Sequence, residues 1–261
     1  MAGRSDLVQE PTSGDGRNVA LSVVTATYNA VDILPRLIRS LRAQTDLDFE
    51  WVVADGASTD ETLRLLREAA GDLRIRVDSR PDFGIYDALN RAVKMASGDY
   101  YLVVGADDEL FPDAVAQYKT ACTSTGADLI TARVEVNGRA YGVRKRRWEW
   151  LHGPFAHVSA HAVGLALRRN LHQRFGWYSR KFPIAADQWF ILKVVRNHCL
   201  VAECDFVAGR FYLDGTSGAD VLGTLIEGFR VRVMAGHALW LQSLLLFARL
   251  IKNRRQIRAG Q

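Results

Sequence analysis

The chain has 261 residues, 48% of them apolar and 24% charged, the proportions of an ordinary globular protein with enough chain for one good core. Three cysteines, Cys122, Cys199 and Cys204, are too few and wrongly spaced for a disulfide framework or a Cys-x-x-Cys metal site, so a reducing compartment fits best. The net charge of +5 is matched by Arg249, Lys252, Arg254, Arg255 and Arg258 in an acid-free tail; the excess belongs to that tail and says little about the body.

Residues 1–18 are polar, rich in Gly, Ser and Pro, and lack an apolar signal core, which predicts a disordered leader. Leu21–Thr27 is a short apolar strand. Ile33, Leu34, Leu37, Ile38 and Leu41 follow at helical spacing, with Pro35 in the first turn, where proline is tolerated. Phe49–Ala54 is a second strand, halted by Asp55-Gly56. Ser58-Thr-Asp-Glu61 fits a capping box opening the next helix. Leu73, Ile75 and Val77 alternate as a third strand. A helix from about Ile85 puts Tyr86, Leu89 and Val93 on one face, and Gly98 is read as its end. Tyr100–Val104 is continuously apolar and reads as a strand buried on both faces. A helix from about Asp113 to Thr123 follows. Strand and helix thus alternate four times, which predicts an α/β fold with a mostly parallel sheet and helices on both faces.

Beyond Asp128 the pattern changes. Asp128–Asn137, Ala162–Leu167 and Leu200–Leu213 read as strands, and Ala185–Arg196 as an amphipathic helix with Asp187 in its first turn. From Leu222 the chain is helical and increasingly apolar. The run Leu239–Ile251 is too short to span a bilayer, which takes about 20 residues. Apolar first and basic afterwards, it has the form of an interfacial anchor; the competing reading is a helix packed on the body or on a second subunit.

Asp107 and Asp108 sit directly after the buried strand, at the end of a sheet where α/β folds open onto a ligand crevice. Two hard oxygen donors there suit Mg²⁺ or Mn²⁺, with substrate phosphates completing the shell. A solvated loop before Pro112 is the plain alternative. No Walker or Gly-x-Gly-x-x-Gly loop is present.

Thr25-Ala-Thr-Tyr-Asn29, Asp55-Gly-Ala-Ser-Thr-Asp-Glu-Thr62, Asp82-Phe-Gly-Ile-Tyr-Asp-Ala-Leu-Asn90, Gly105-Ala-Asp-Asp108 and Ala185-Ala-Asp-Gln-Trp189 stand in this order. Together they resemble family 2 glycosyltransferases of the GT-A fold, in particular bacterial enzymes of surface polysaccharide and glycolipid synthesis. The resemblance implies a catalytic domain over 19–218, with a nucleotide-sugar half (19–125) and an acceptor half (126–218), followed by a helical, basic, C-terminal segment (219–261). It implies a UDP-, GDP- or dTDP-linked sugar donor, a divalent metal, and displacement with inversion at the anomeric carbon. Thr25, Thr27, Asn29, Asp55, Arg80, Asp82 and Asp87 match the donor-binding positions. Asp107 and Asp108 match the metal motif and Asp187 the general base. His161 and Trp189 fall on the acceptor side.

Two departures stand out. Gly105 replaces an acid many relatives carry, and Trp189 replaces a second acid, leaving Asp187 as the lone carboxylate of its helix turn. A zinc site from His152, His157 and His161 lacks a Cys or acid at ligand spacing, and Arg144–Arg147 lacks the recognition elements of a nucleic-acid site. The expected protein is an inverting glycosyltransferase on the cytoplasmic membrane face, using a lipid-linked or glycolipid acceptor. Its rival is a non-catalytic, nucleotide- or glycan-binding member that serves as an assembly partner.

Overall fold

The computed structural model describes residues 20–144, 148–212 and 220–259. The leader, most of the Arg144–Arg147 patch and the junction at 213–219 lie outside the described residues.

β1 (Leu21–Thr27), β2 (Glu50–Asp55), β3 (Ile75–Ser79) and β4 (Tyr100–Val103) are each followed or separated by a helix: α1 (Leu34–Arg42), α2 (Thr62–Ala69) and α3 (Ile85–Met95). After β4 come β5 (Glu109–Leu110), α4 (Ala114–Thr125), β6 (Leu129–Val136), β7 (Arg139–Tyr141) and α5 (Glu149–His152). Then β8 (Leu165–Arg168), α6 (Leu171–Phe175), α7 (Ala186–Arg196), β9 (Val201–Arg210), α8 (Val221–Met234) and α9 (Leu239–Ala259) complete the order.

The strands form a nine-stranded sheet in the order β3-β2-β1-β4-β8-β6-β9-β5, with β7 on β6. β3, β2, β1 and β4 are parallel, as are β6 and β9. β8 runs antiparallel between β4 and β6, and β5 runs antiparallel on β9. Period-2 alternation sends Leu21, Val23, Trp51, Val53, Tyr100 and Leu102 to one face, against α1, α2 and α4. Val24, Val52, Ala54, Tyr101 and Val103 go to the other, against α3 and α7. Burial on both faces is why these strands read as unbroken apolar runs.

Two local expectations fail. No capping box opens α2: Glu61 occupies the N-cap and caps with no side chain. The Ser58 hydroxyl is used elsewhere, donating to Asp55 and accepting the Asn29 N–H, while Asp60 accepts the Thr62 N–H. Nor does Gly98 end α3, which stops at Met95 with Ala96 already extended. Gly98 is needed for contact with the sheet. Its N–H donates to the Ser22 hydroxyl at 3.0 Å and to Glu50 at 3.2 Å. A Cβ there would lie 2.6 Å from Ser22 Oγ and 2.8 Å from the Tyr100 carbonyl. Gly98→Ala is expected to lower unfolding free energy by about 1–3 kcal/mol through overpacking, read as a lower urea midpoint at unchanged m-value.

Candidate functional site

The parallel strands align Thr27, Asp55 and Ser79 in one row across β1, β2 and β3. Asp55 is fully buried, and both its oxygens are filled. Oδ1 accepts from the hydroxyls of Thr27 (2.9 Å) and Ser58; Oδ2 accepts from the Ser58 N–H (2.8 Å) and the Ser79 hydroxyl (2.7 Å). Burial alone would raise its pKa, but these donors outweigh it and hold the carboxyl below the ordinary value. Asp55 therefore organises the loops around it.

Asn29 adopts φ +45°, a conformation asparagine tolerates. Its N–H donates to the Ser58 hydroxyl and its side-chain oxygen accepts the Thr59 N–H, each at 2.9 Å, closing the β1 exit loop onto the β2 exit loop. Thr25, expected on the donor side, sits apart from these loops. It is fully buried on the α1/α2/α4 face, where its hydroxyl accepts the Trp51 indole N–H at 3.0 Å.

On the third loop, Arg80 is largely exposed and pairs with Asp78 at 3.2 Å. Asp82 accepts the Gly84 N–H at 2.9 Å, and Asp87, in the first turn of α3, pairs with Arg180. Arg91, which sequence reasoning missed, ties this loop together. Its guanidinium reaches Asp78 (3.0 Å), Asp82 (3.3 Å) and the carbonyls of Asp55 (3.1 Å) and Arg80 (3.3 Å).

Asp107 and Asp108 follow β4 on the same edge. Asp108 is 1% exposed; Oδ1 accepts the Tyr212 N–H and Oδ2 the Gly105 N–H, each at 3.0 Å. Burial and the neighbouring Asp107 carboxylate push its pKa up to about 7. A Cβ at Gly105 would lie 2.7 Å from both Asp107 Oδ1 and Asp108 Oδ2, so a side chain there would have to displace both carboxylates. The two carboxylates converge where another side chain would stand. Arg36 braces them, donating to the Asp107 carbonyl at 3.2 Å and lying 4.0 Å over the Tyr212 ring; neither Arg36 nor Tyr212 was anticipated.

Two converging, partly dehydrated carboxylates fit a divalent cation that takes its other ligands from water and phosphate. Among the described residues no group of three or more His, Cys, Asp or Glu forms a metal cluster. His152, His157 and His161 go to separate partners: Arg144 at 3.2 Å, Glu149 at 2.6 Å and Tyr178 at 2.8 Å.

Asp187 lies in the first turn of α7. Its Oδ1 accepts the Tyr86 hydroxyl at 2.6 Å and its Oδ2 lies 3.7 Å from His161 Nδ1. Glu227 from α8 fixes the approach to that turn, accepting the N–H groups of Ile184 and Ala185 at 2.9 Å. Tyr86 stands at the start of α3, so Asp187 belongs to the same sheet edge as the exit loops of β1, β2 and β3. Trp189 is half-buried beside Phe182, with ring centroids 6.3 Å apart, and packs against the α3/α7 core.

The C-terminal helix α9 has two faces. Gln242 donates to the Trp150 carbonyl at 2.8 Å and Arg249 to the Leu151 carbonyl at 2.7 Å. On the opposite side Trp240, Leu244, Phe247 and Ile251 are exposed, and at 100° per residue Arg254, Arg255 and Arg258 continue that stripe. No helix among the described residues is long and apolar enough to cross a membrane.

Residues 22–193 match the family model "Glycosyl transferase family 2". The chain is 31% identical over 195 residues to a PGL/p-HBAD biosynthesis glycosyltransferase of Mycobacterium bovis, covering 70% of this chain and 72% of the relative. It is 32% identical over 203 residues to an uncharacterized glycosyltransferase of Mycobacterium tuberculosis, covering 71% and 74%. Among solved structures it resembles S. aureus TarS 1-349 in complex with UDP-GlcNAc, with TM-score 0.68, 20% identity and coverage of 90% and 72%. It also resembles the mannosyltransferase PcManGT of Pyrobaculum calidifontis in complex with GDP-Man and Mn2+, with TM-score 0.66, 17% identity and coverage of 95% and 79%. The sheet and helices described above are thus those of the GT-A fold.

The aromatic cluster behind Asp187 gives the molecule an acid-sensitive point. His172 is 2% exposed, and burial lowers its pKa to about 4. Its folded pKa lies below the unfolded value near 6.5, so its contribution is complete above pH 6.5 and is lost as pH falls towards 4. His172→Gln should lose about 3 kcal/mol less stability than the parent between pH 7.5 and 4, as measured by urea unfolding at both pH values.

Proposed function

The chain belongs to glycosyl transferase family 2, and from that premise we propose that it transfers a sugar from a nucleotide-sugar to an acceptor hydroxyl with inversion. The observation carrying this reading is the inventory on one sheet edge: a converging acid pair after β4 and a separately held lone acid, Asp187. Asp107 and Asp108 would hold Mn²⁺ or Mg²⁺, which when bound neutralises charge on the departing diphosphate. Asn29, Arg80, Asp82 and Asp87 line the donor-side loops, which Asp55, Thr27 and Arg91 keep in shape. Asp187 takes the proton from the attacking hydroxyl, a contribution of roughly 10²–10⁴-fold in rate. Its two oxygens are differentiated by Tyr86, which occupies Oδ1 and leaves Oδ2 as the basic atom. UDP, UDP-GlcNAc and GDP-Man in the solved relatives support a nucleotide-sugar donor, and Mn²⁺ in one of them supports the metal.

The acceptor is a lipid-linked or glycolipid hydroxyl, and the protein works peripherally at the cytoplasmic face of the membrane. The exposed stripe of α9 supports this reading: apolar side chains followed by arginines on one face suit the boundary of an anionic bilayer.

Melting the protein against UDP-, GDP- and dTDP-sugars with and without Mn²⁺ tests the donor site, since a ligand of the folded state raises the melting temperature. A metal-dependent rise with one base is expected, and Asp108→Asn should abolish its metal-dependent part. No shift with any donor would favour the non-catalytic, assembly-partner reading. Asp187→Asn should keep the shift and lose transfer by at least roughly 10²-fold. For the acceptor side, sedimentation with phosphatidylserine-containing vesicles should be strong for the parent and weak for Leu244→Glu/Phe247→Glu. Equal binding by both proteins would remove α9 from membrane contact.

A further inference from the structure

A carboxylate that takes the acceptor's proton must lose it before the next turnover. Behind Asp187 Oδ2 stands the imidazole of His161, its Nδ1 3.7 Å away and its side chain 9% exposed. That gap exceeds a formed hydrogen bond, and catalytic contacts of this kind tighten when substrate binds.

The state of His161 follows from the far end of the cluster. The Gly176 carbonyl can only accept, so His172 Nδ1, 3.1 Å away, donates to it. His172 is neutral, its pKa lowered to about 4, so its Nε2 must accept. It accepts from the Tyr101 hydroxyl at 2.7 Å. The Tyr101 oxygen then accepts from the Tyr178 hydroxyl at 2.7 Å. The Tyr178 oxygen in turn accepts from His161 Nε2 at 2.8 Å. The chain has one consistent direction, and it fixes the proton of neutral His161 on Nε2. The bare lone pair of Nδ1 therefore faces the carboxylate of Asp187.

Two lone pairs aimed at one another across 3.7 Å repel until a proton arrives between them. We propose that His161 Nδ1 takes over the proton that Asp187 Oδ2 removes from the acceptor, so that His161 is the proton relay of the transfer step, acting through Asp187. The inference rests on the reading of Asp187 as the base. As the acceptor oxygen bonds to the anomeric carbon, its O–H bond breaks and the proton goes to Oδ2. The bond from the anomeric carbon to phosphate breaks with its electron pair going to the diphosphate. The proton then passes to Nδ1, giving an imidazolium paired with a restored carboxylate, and is released to water.

The surroundings suit that role. Burial holds the His161 pKa below the ordinary histidine value while Asp187 opposes the shift, so the ring is neutral and receptive at rest. Among the described residues, the titratable groups facing the pair are Tyr86 from α3, Tyr178 after α6, and Glu227 from α8, with Tyr101 and His172 behind Tyr178. None of these presents a cation to His161. Sequence placed His161 on the acceptor side; the hydrogen-bond direction gives it a chemical task.

The test is imidazole ¹⁵N NMR on the full ligand-free chain, joined to hydrolysis of whichever nucleotide-sugar the melting panel selects, with water as acceptor. At pH 7.5 His161 should show the Nε2–H tautomer and His172 the Nδ1–H tautomer. Asp187→Asn should lower the His161 titration point, since it removes the stabilising charge. His161→Gln, which retains an N–H donor for Tyr178, should lower kcat by roughly 10²-fold at unchanged donor KM, and remove the acid limb that tracks the His161 titration. An Nδ1–H tautomer at His161, or a His161→Gln enzyme with the parent's kcat and pH profile, would overturn the relay. If Asp187→Asn hydrolyses donor normally, the base assignment itself fails; if it is inactive while His161→Gln is normal, only the relay fails.

Discussion

Four hydrogen bonds converge on one buried carboxylate, and the exit loops of β1, β2 and β3 depend on them. Moving a carboxylate out of water is costly unless its lone pairs are filled. At Asp55 all four are, by groups from the ends of β1, β2 and β3. That requirement explains why Thr27, Ser58 and Ser79 occupy their positions, and why the Ser58 hydroxyl is unavailable for capping α2. The neighbouring bonds, Ala30 to Thr62 at 2.8 Å and Val31 to Asp60 at 3.1 Å, then bring the start of α1 against the start of α2.

Asp108 shows the same physics with the opposite outcome. It is as buried as Asp55, but each of its oxygens receives one backbone N–H, and a like charge stands beside it. One acid is therefore satisfied within the protein and held below its ordinary pKa; the other is short of positive charge and pushed up. Their order in the chain gives no hint of this difference. The number of donors around each decides which acid supports structure and which is suited to a cation. The absence of a side chain at position 105 is part of that arrangement, since the two carboxylates occupy the volume an acid there would need.

Much of the fold was legible because each half-turn of pattern had one cause. Strands buried on both faces gave apolar runs, and β1 begins and ends where the run Leu21–Thr27 does. The first-turn position of Asp187 followed from helical spacing. The errors came where a side chain had two uses. Ser58 could cap a helix or serve Asp55; Gly98 could stop a helix or admit Ser22. Local pattern cannot decide such cases, because the competing partner lies far along the chain. Arg36 with Asp107, Tyr212 with Asp108 and Tyr86 with Asp187 are separated by 71, 104 and 101 residues, so their roles emerged only from the fold.

β8 runs against β4, with Tyr100 opposite Arg168 and Leu102 opposite Ala166. In a parallel sheet it is the exit loops of strands that reach the reactive edge. A reversed strand instead delivers its entry loop there, and the Val163 N–H bonds to the Val103 carbonyl at 2.8 Å, beside the residues leading to the acid pair. The turn just before β8 therefore borders the exit of β4, and the pairing of β5 with β9 and the bond from the Tyr212 N–H to Asp108 add further ties between the two ends of the sheet. The reversal of this one strand thus brings an entry loop to the edge that the exit loops of β1 to β4 occupy.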